Sequence, residues 1–142
     1  MKRNLLILVL ITIAVGAGYL WWNKDQITQD FNQERAAERE TFTAQGLAYG
    51  QSHSQQACLD KTLQDMNGCH TFSCSVNAGL FLKNCWSVAS ESPSMCEGVP
   101  TFLEEPTEDD KTWAKAYCID RDIRSEGCRK LVMRQLSQFC SK

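Results

Sequence analysis

Eight cysteines, all between Cys58 and Cys140, follow an uncharged apolar run from Leu5 to Trp22. Cysteines at this density pair up where thiols oxidise, and an apolar run of this length leads a chain into or across a membrane. Together the two features describe a chain that leaves the reducing cytosol and is braced by covalent cross-links.

The run from Leu5 to Trp22 holds eighteen residues, enough as a helix to cross about 27 Å of hydrocarbon. Lys2 and Arg3 flank it on one side, and Asp25, Asp30, Glu34, Glu38 and Glu40 dominate the other. The basic flank is the one retained in the cytoplasm, so everything beyond the run is expected on the far side. Tyr19, Trp21 and Trp22 cluster at its end, where amphipathic rings favour the headgroup layer. Residues 1–22 therefore read as a single-pass anchor that contacts the lipid bilayer through residues 5–22. The alternative is a cleavable signal peptide, with Leu5–Ile13 as its apolar core and small residues at Ala14-Val15-Gly16, releasing a secreted domain after Gly16 or Gly18. The apolar stretch continues past that site into the aromatic belt, which favours the uncleaved anchor. No cysteine lies near its end, so nothing supports a lipid-modified amino terminus.

Fifteen basic and seventeen acidic residues leave a net charge of −2, and setting aside Lys2 and Arg3 leaves −2 − 2 = −4 for the rest. The scattered Lys and Arg argue against nucleic acid as a partner, since phosphate binding depends on clustered cations. No Asn-x-Ser/Thr acceptor occurs, which favours a bacterial inner membrane with the domain in the periplasm. A mitochondrial intermembrane location is the alternative, although the short basic start lacks the look of a transit peptide.

Residues 23–46 are polar, free of proline and rich in helix formers, and read as a solvated helical stalk. Ile27, Phe31, Ala36, Ala37 and Phe42 hold no heptad seam, so a coiled coil is not expected. Residues 47–142 then form one domain of an all-α class. Cys58, Leu59, Leu63, Met66 and Cys69 recur at helical spacing and stop at Asn67-Gly68. Thr71 or Ser73 caps a second helix whose stripe is Cys74, Ala78, Phe81, Cys85 and Val88. Ser92-Pro93 opens a turn around Cys96. Thr107 followed by Glu108, Asp109 and Asp110 opens a third helix carrying Trp113, Ala116, Tyr117 and Cys118, and Ser125 caps a fourth with Cys128, Leu131, Val132, Leu136, Phe139 and Cys140 on one face.

Cys58 and Cys69 are eleven residues apart, and so are Cys74 and Cys85. Eleven steps of about 100° bring a side chain back to within about 20° of its start, three turns along the helix. Each of the first two helices thus carries two sulfurs on one edge. Folding back through the short connection pairs Cys69 with Cys74 near the turn and Cys58 with Cys85 at the open end. Cys118 and Cys128 flank the next turn, which leaves Cys96 for Cys140. The expected arrangement is two stapled hairpins. The spacing resembles that of the twin Cys-x9-Cys helical-hairpin proteins, with each interval one residue longer, and the likeness covers only Cys58–Cys85. The shared feature is geometry, not kinship.

The cysteines are read as structural. Zinc sites use close pairs two to four residues apart, and Cys69/Cys74 with His53 or His70 does not supply two of them. A thiol oxidoreductase wants Cys-x-x-Cys at a helix start; only a labile Cys69–Cys74 bridge keeps a redox protein as an alternative. Haem attachment lacks its upstream cysteine. Asp60, Asp65, His70 and Ser73 are not ordered into a catalytic group, and Glu104–Asp110 lacks the alternating ligands of a calcium loop. No catalytic residue, cofactor, metal site or small-molecule substrate is assigned. Trp86, Trp113, Tyr117 and Phe102 are candidates for a recognition surface, with the core as the equal alternative. Trp86, about 100° off the sulfur stripe, is expected to be exposed, and Phe72, Phe81 and Phe139 inside. The function expected is that of an anchored interaction or assembly module in the cell envelope with a protein partner there. A secreted effector or inhibitor is the alternative.

Overall fold

The computed structural model describes residues 2–69 and 71–141, with the backbone alone at 2, 3 and 27. His70, weighed above as a ligand or acid-base group, lies outside the described residues. Among the described residues all regular structure is helical. The helices are α1 (Lys2–Gly50), α2 (Gln55–Met66), α3 (Phe72–Val88), α4 (Glu108–Ile119), α5 (Glu126–Leu131) and α6 (Ser137–Cys140). A 3-10 turn occupies Pro93–Cys96, and a π-helical turn, Val132–Leu136, joins α5 to α6.

Compactness divides the chain between Ala37 and Glu38. In the first unit, Asn4–Gln26 meets the length and hydropathy of a membrane span, with a mean hydropathy of 2.2 and none of it buried. A signal sequence meets the same criteria.

The second unit begins inside α1, so residues 38–50 belong to the domain and are not solvated spacer throughout. The reason is two small residues one turn apart. A Cβ on Gly46 would stand 2.5 Å from the Phe81 carbonyl oxygen, and one on Gly50 would overlap the Cys85 carbonyl. Only glycine lets the end of α1 lie this close to α3. Phe42 and Tyr49, on the same stretch, pack against the core.

Helix starts follow side-chain chemistry. Ser54, Thr71 and Ser125 accept from the backbone N–H three residues on, opening α2, α3 and α5. Thr107 and Asp110 form a reciprocal capping box on α4. Asp122 turns the chain between α4 and α5 at φ 58°, where Asp is one of the few side chains tolerated. That turn places Ile123 in the core at 4% exposure.

Four disulfides fasten these elements: Cys58–Cys85, Cys69–Cys74, Cys96–Cys140 and Cys118–Cys128. These are the pairs to which the spacing leads. Their Cα separations, 5.3 to 6.2 Å, suit bridging without backbone movement. α2 packs on α3, α3 on α5, and α4 on α5 and the π turn. Beside Cys58–Cys85, the Gln55 N–H donates to Ser90 O at 2.9 Å and the Ser90 N–H to His53 O at 3.2 Å, tying the start of α2 to the end of α3. The core is Leu59, Leu63, Met66, Leu82, Val132 and Leu136, with five of the eight half-cystines buried among them.

Candidate functional site

Two concave features adjoin α3, one on each side. The first lies against α5. Gly127 faces Ser75 with no room for a Cβ, and Gln135 Nε2 donates to the Gly79 carbonyl at 2.8 Å. These contacts set a close approach of the two helices and leave a groove of about 600 Å³ along it, lined by Phe72, Val76, Gly79 and Leu131. Lys130 and Arg134 stand exposed along the same groove. Lys130 is paired with Glu126 at 2.7 Å. The hydrogen bond from Lys130, and then its charge, hold the Glu126 carboxyl below the ordinary range. Both side chains are open to water, so this pair adds little to stability.

Phe72 is 82% exposed at the groove, contrary to the expectation that it is buried. It is the first residue of α3, immediately after the Thr71 cap. Two steps of about 100° separate it from Cys74, so it points about 160° away from the stripe that faces the core. Hydrophobicity placed it inside; helical phase puts it out. Phe81, on the stripe, is buried at 7% exposure.

Trp86 departs from expectation as well. Trp86 is half-buried and stacks on Phe139, ring centroids 4.7 Å apart, so it is not a freely exposed anchor. The stack forms because Cys96–Cys140 holds the end of the chain where Phe139 meets α3. Trp113 is half-buried too, tilted against Tyr117 at 5.3 Å. Tyr117 also carries the Arg121 guanidinium over its ring at 3.7 Å. Burial raises the Tyr117 pKa above 10.0 and outweighs the lowering effect of Arg121; Asp60 adds to the rise.

The second feature is a cavity of about 470 Å³ lined by the end of α1 together with α2 and α3. Asn77 lines it at 7% exposure. Its Nδ2 donates to Glu38 Oε2 at 3.3 Å. A carboxylate only accepts, so this contact fixes which way round the amide sits. Asn77 Oδ1 then has no hydrogen-bond partner among the described residues. A buried acceptor left in this state costs about 1–3 kcal/mol. Phe42, Phe81 and Ala78 supply apolar wall.

The remaining polar candidates occupy ordinary structural places. His53 stacks on Tyr49 with ring centroids 3.8 Å apart. Asp60 accepts from Gln56 at 2.8 Å, and Asp65 is paired with Lys61 at 2.6 Å. Ser73 lines the Asn77 cavity. All eight cysteines are bridged. Among the described residues no three His, Cys, Asp or Glu side chains gather as a metal site would require.

Sequence reasoning missed Phe72, the Gly46/Gly50 pair and Asn77. Helical phase from Thr71 would have found the first, and Gly-x-x-x-Gly the second. Nothing local marks Asn77, whose partner is 39 residues away. No protein-family model matches the chain, and no curated protein or solved structure matches it.

Proposed function

We propose that this protein is an anchored interaction module of a bacterial cell envelope, held in the inner membrane by Asn4–Gln26 with its disulfide-braced domain in the periplasm. The domain is read as two stapled helical hairpins, α2/α3 and α4 with α5–α6, whose rigidity presents a fixed docking face. The observation that carries the reading is Phe72, an aromatic ring left 82% exposed in a domain whose other phenylalanines pack inward or half-inward. Exposed aromatics beside a groove are what protein interfaces use as anchors.

The occupant is an amphipathic segment of another envelope protein, with an apolar side chain for the floor of Val76 and Leu131 and acidic residues for the edge. Charge supports the choice. Lys130 and Arg134 outnumber Glu126 along the groove, in a chain whose net charge is −2. Opposite charge at an interface edge steers encounter and sets register.

A photocrosslinking side chain placed at position 72 in native membranes tests this. The proposal expects a discrete adduct with one partner, absent when the probe stands at exposed Lys83 and lost on Arg134→Glu. Repeated trials with no adduct specific to position 72 would defeat it.

A further inference from the structure

A third concave feature lies away from both of these. α4, the turn after it and α5 border a cleft of about 380 Å³ that shares no lining residue with the groove at Phe72. Its walls are Lys115, Ile119, Ile123, Arg124 and Arg129: three cations, two isoleucines and no carboxylate. The chain gathers them in three steps. Lys115 and Ile119 lie one turn apart on the same face of α4. Asp122, at φ 58°, turns the chain so that Ile123 enters the core and Arg124 follows it round. Cys118–Cys128 then holds α5 beside α4, and Arg129 is the residue next to that bridge.

Ordinary structural duties do not account for these charges. The carboxyl end of a helix favours a cation, but at α4 that place is taken by Arg121, which donates to the Tyr117 carbonyl at 3.1 Å. The side chains of Lys115, Arg124 and Arg129 make no hydrogen bond or ion pair with any described residue. Glu126, three residues before Arg129, is bonded to Lys130 at 2.7 Å, and Arg129 acts on it only through space. Three like charges around one opening, in a chain of net charge −2, repel one another and leave the cleft short of an anion.

The lining narrows the choice of anion. Guanidinium groups match the oxygens of carboxylate and phosphate. A monocarboxylate leaves most of the positive charge unmet, whereas a phosphate monoester carries about −1.5 to −2 near neutral pH and offers three terminal oxygens, one for each cation. Ile119, 46% exposed, gives an apolar stem a surface to cover. The cleft's volume is of ligand size.

We infer that this cleft binds a phosphate monoester on an apolar stem, its oxygens taken by Lys115, Arg124 and Arg129 and its first carbons lying on Ile119. The ester is either a small soluble molecule or the headgroup of a lipid. The inference stands apart from the docking reading, since the cleft and the groove use different residues.

The test is NMR of the full chain in uncharged detergent micelles, following the Ile119 and Ile123 methyl groups and the Arg124 and Arg129 Nε–H signals. One arm titrates n-butyl phosphate and a second dopes the micelles with a phosphatidate; n-butyrate and n-butanol are the controls. Saturable shifts in at least one phosphate arm are expected, with butyrate weaker by about tenfold for its smaller charge and no response to butanol. Arg124→Gln and Arg129→Gln should each weaken binding about tenfold, the loss of one charged hydrogen bond, and Lys83→Gln should leave it unchanged. A response to butyl phosphate alone assigns the site to a soluble ester, to phosphatidate alone to a lipid headgroup, and to both to the phosphate monoester in general. Butyrate binding as tightly as the phosphate, equal shifts from butanol, or no response in either phosphate arm overturns the inference. These contrasts are made on the unaltered protein, so they decide even where a variant fails to fold.

Discussion

Gly46 lies against Phe81 so closely that a Cβ there would sit 2.5 Å from the Phe81 carbonyl oxygen. The last turns of α1 are therefore part of the domain's packing, and the boundary of the fold runs through the middle of one helix.

Substituting that glycine should be costly. Gly46→Ala or Gly50→Ala forces α1 away from α3 and is expected to lower domain stability by about 1–3 kcal/mol, the usual scale of overpacking. Gly68→Ala, with nothing near its Cβ position, should be neutral. Denaturant midpoints of the three variants check the difference.

The two phenylalanines of α3 make a second contrast. Phe81→Ala should cost about 3–5 kcal/mol as a core truncation. Phe72→Ala should change stability by about 0.5 kcal/mol or less, as a surface change does. A large loss of stability at position 72 would show that the ring is buried in solution.

The bridges should rank by the loops they close. Cys96–Cys140 spans 44 residues and Cys69–Cys74 only 5. On the chain-entropy account, removing the first through paired Cys→Ala changes costs about 4 kcal/mol and removing the second about 2 kcal/mol. Thermal unfolding of the two double variants checks the order.

Alkaline pH should loosen the packing around Tyr117. Its folded-state pKa is raised above 10.0, first by burial. A group with a raised pKa contributes stability that is fully present below its unfolded value and is lost as pH rises through the folded value. The domain should therefore lose stability as pH climbs above about 10, and Tyr117→Phe should flatten that limb. Melting temperature against pH for the two proteins is the measurement.

Much of the fold is legible in the sequence because its determinants are local. Sulfurs eleven residues apart on a helix share an edge whatever else the chain does. Thr107 and Ser125 each declare a helix start through a hydroxyl at the right offset. The candidate site is less legible, since Glu38 and Asn77 meet only when α1 docks on α3, a consequence of Gly46 and Gly50. Phe72 misled for another reason. An apolar residue at the edge of an apolar segment counts as core by composition, and one residue of helical phase decides otherwise.

The account rests on a domain cross-braced by oxidation beyond the cytosol. Non-reducing peptide mass spectrometry on chain isolated from membranes, alkylated at the moment of lysis, tests that most directly. It should recover Cys58–Cys85, Cys69–Cys74, Cys96–Cys140 and Cys118–Cys128, with no alkylated cysteine. Recovery of all eight cysteines as alkylated free thiols would contradict it.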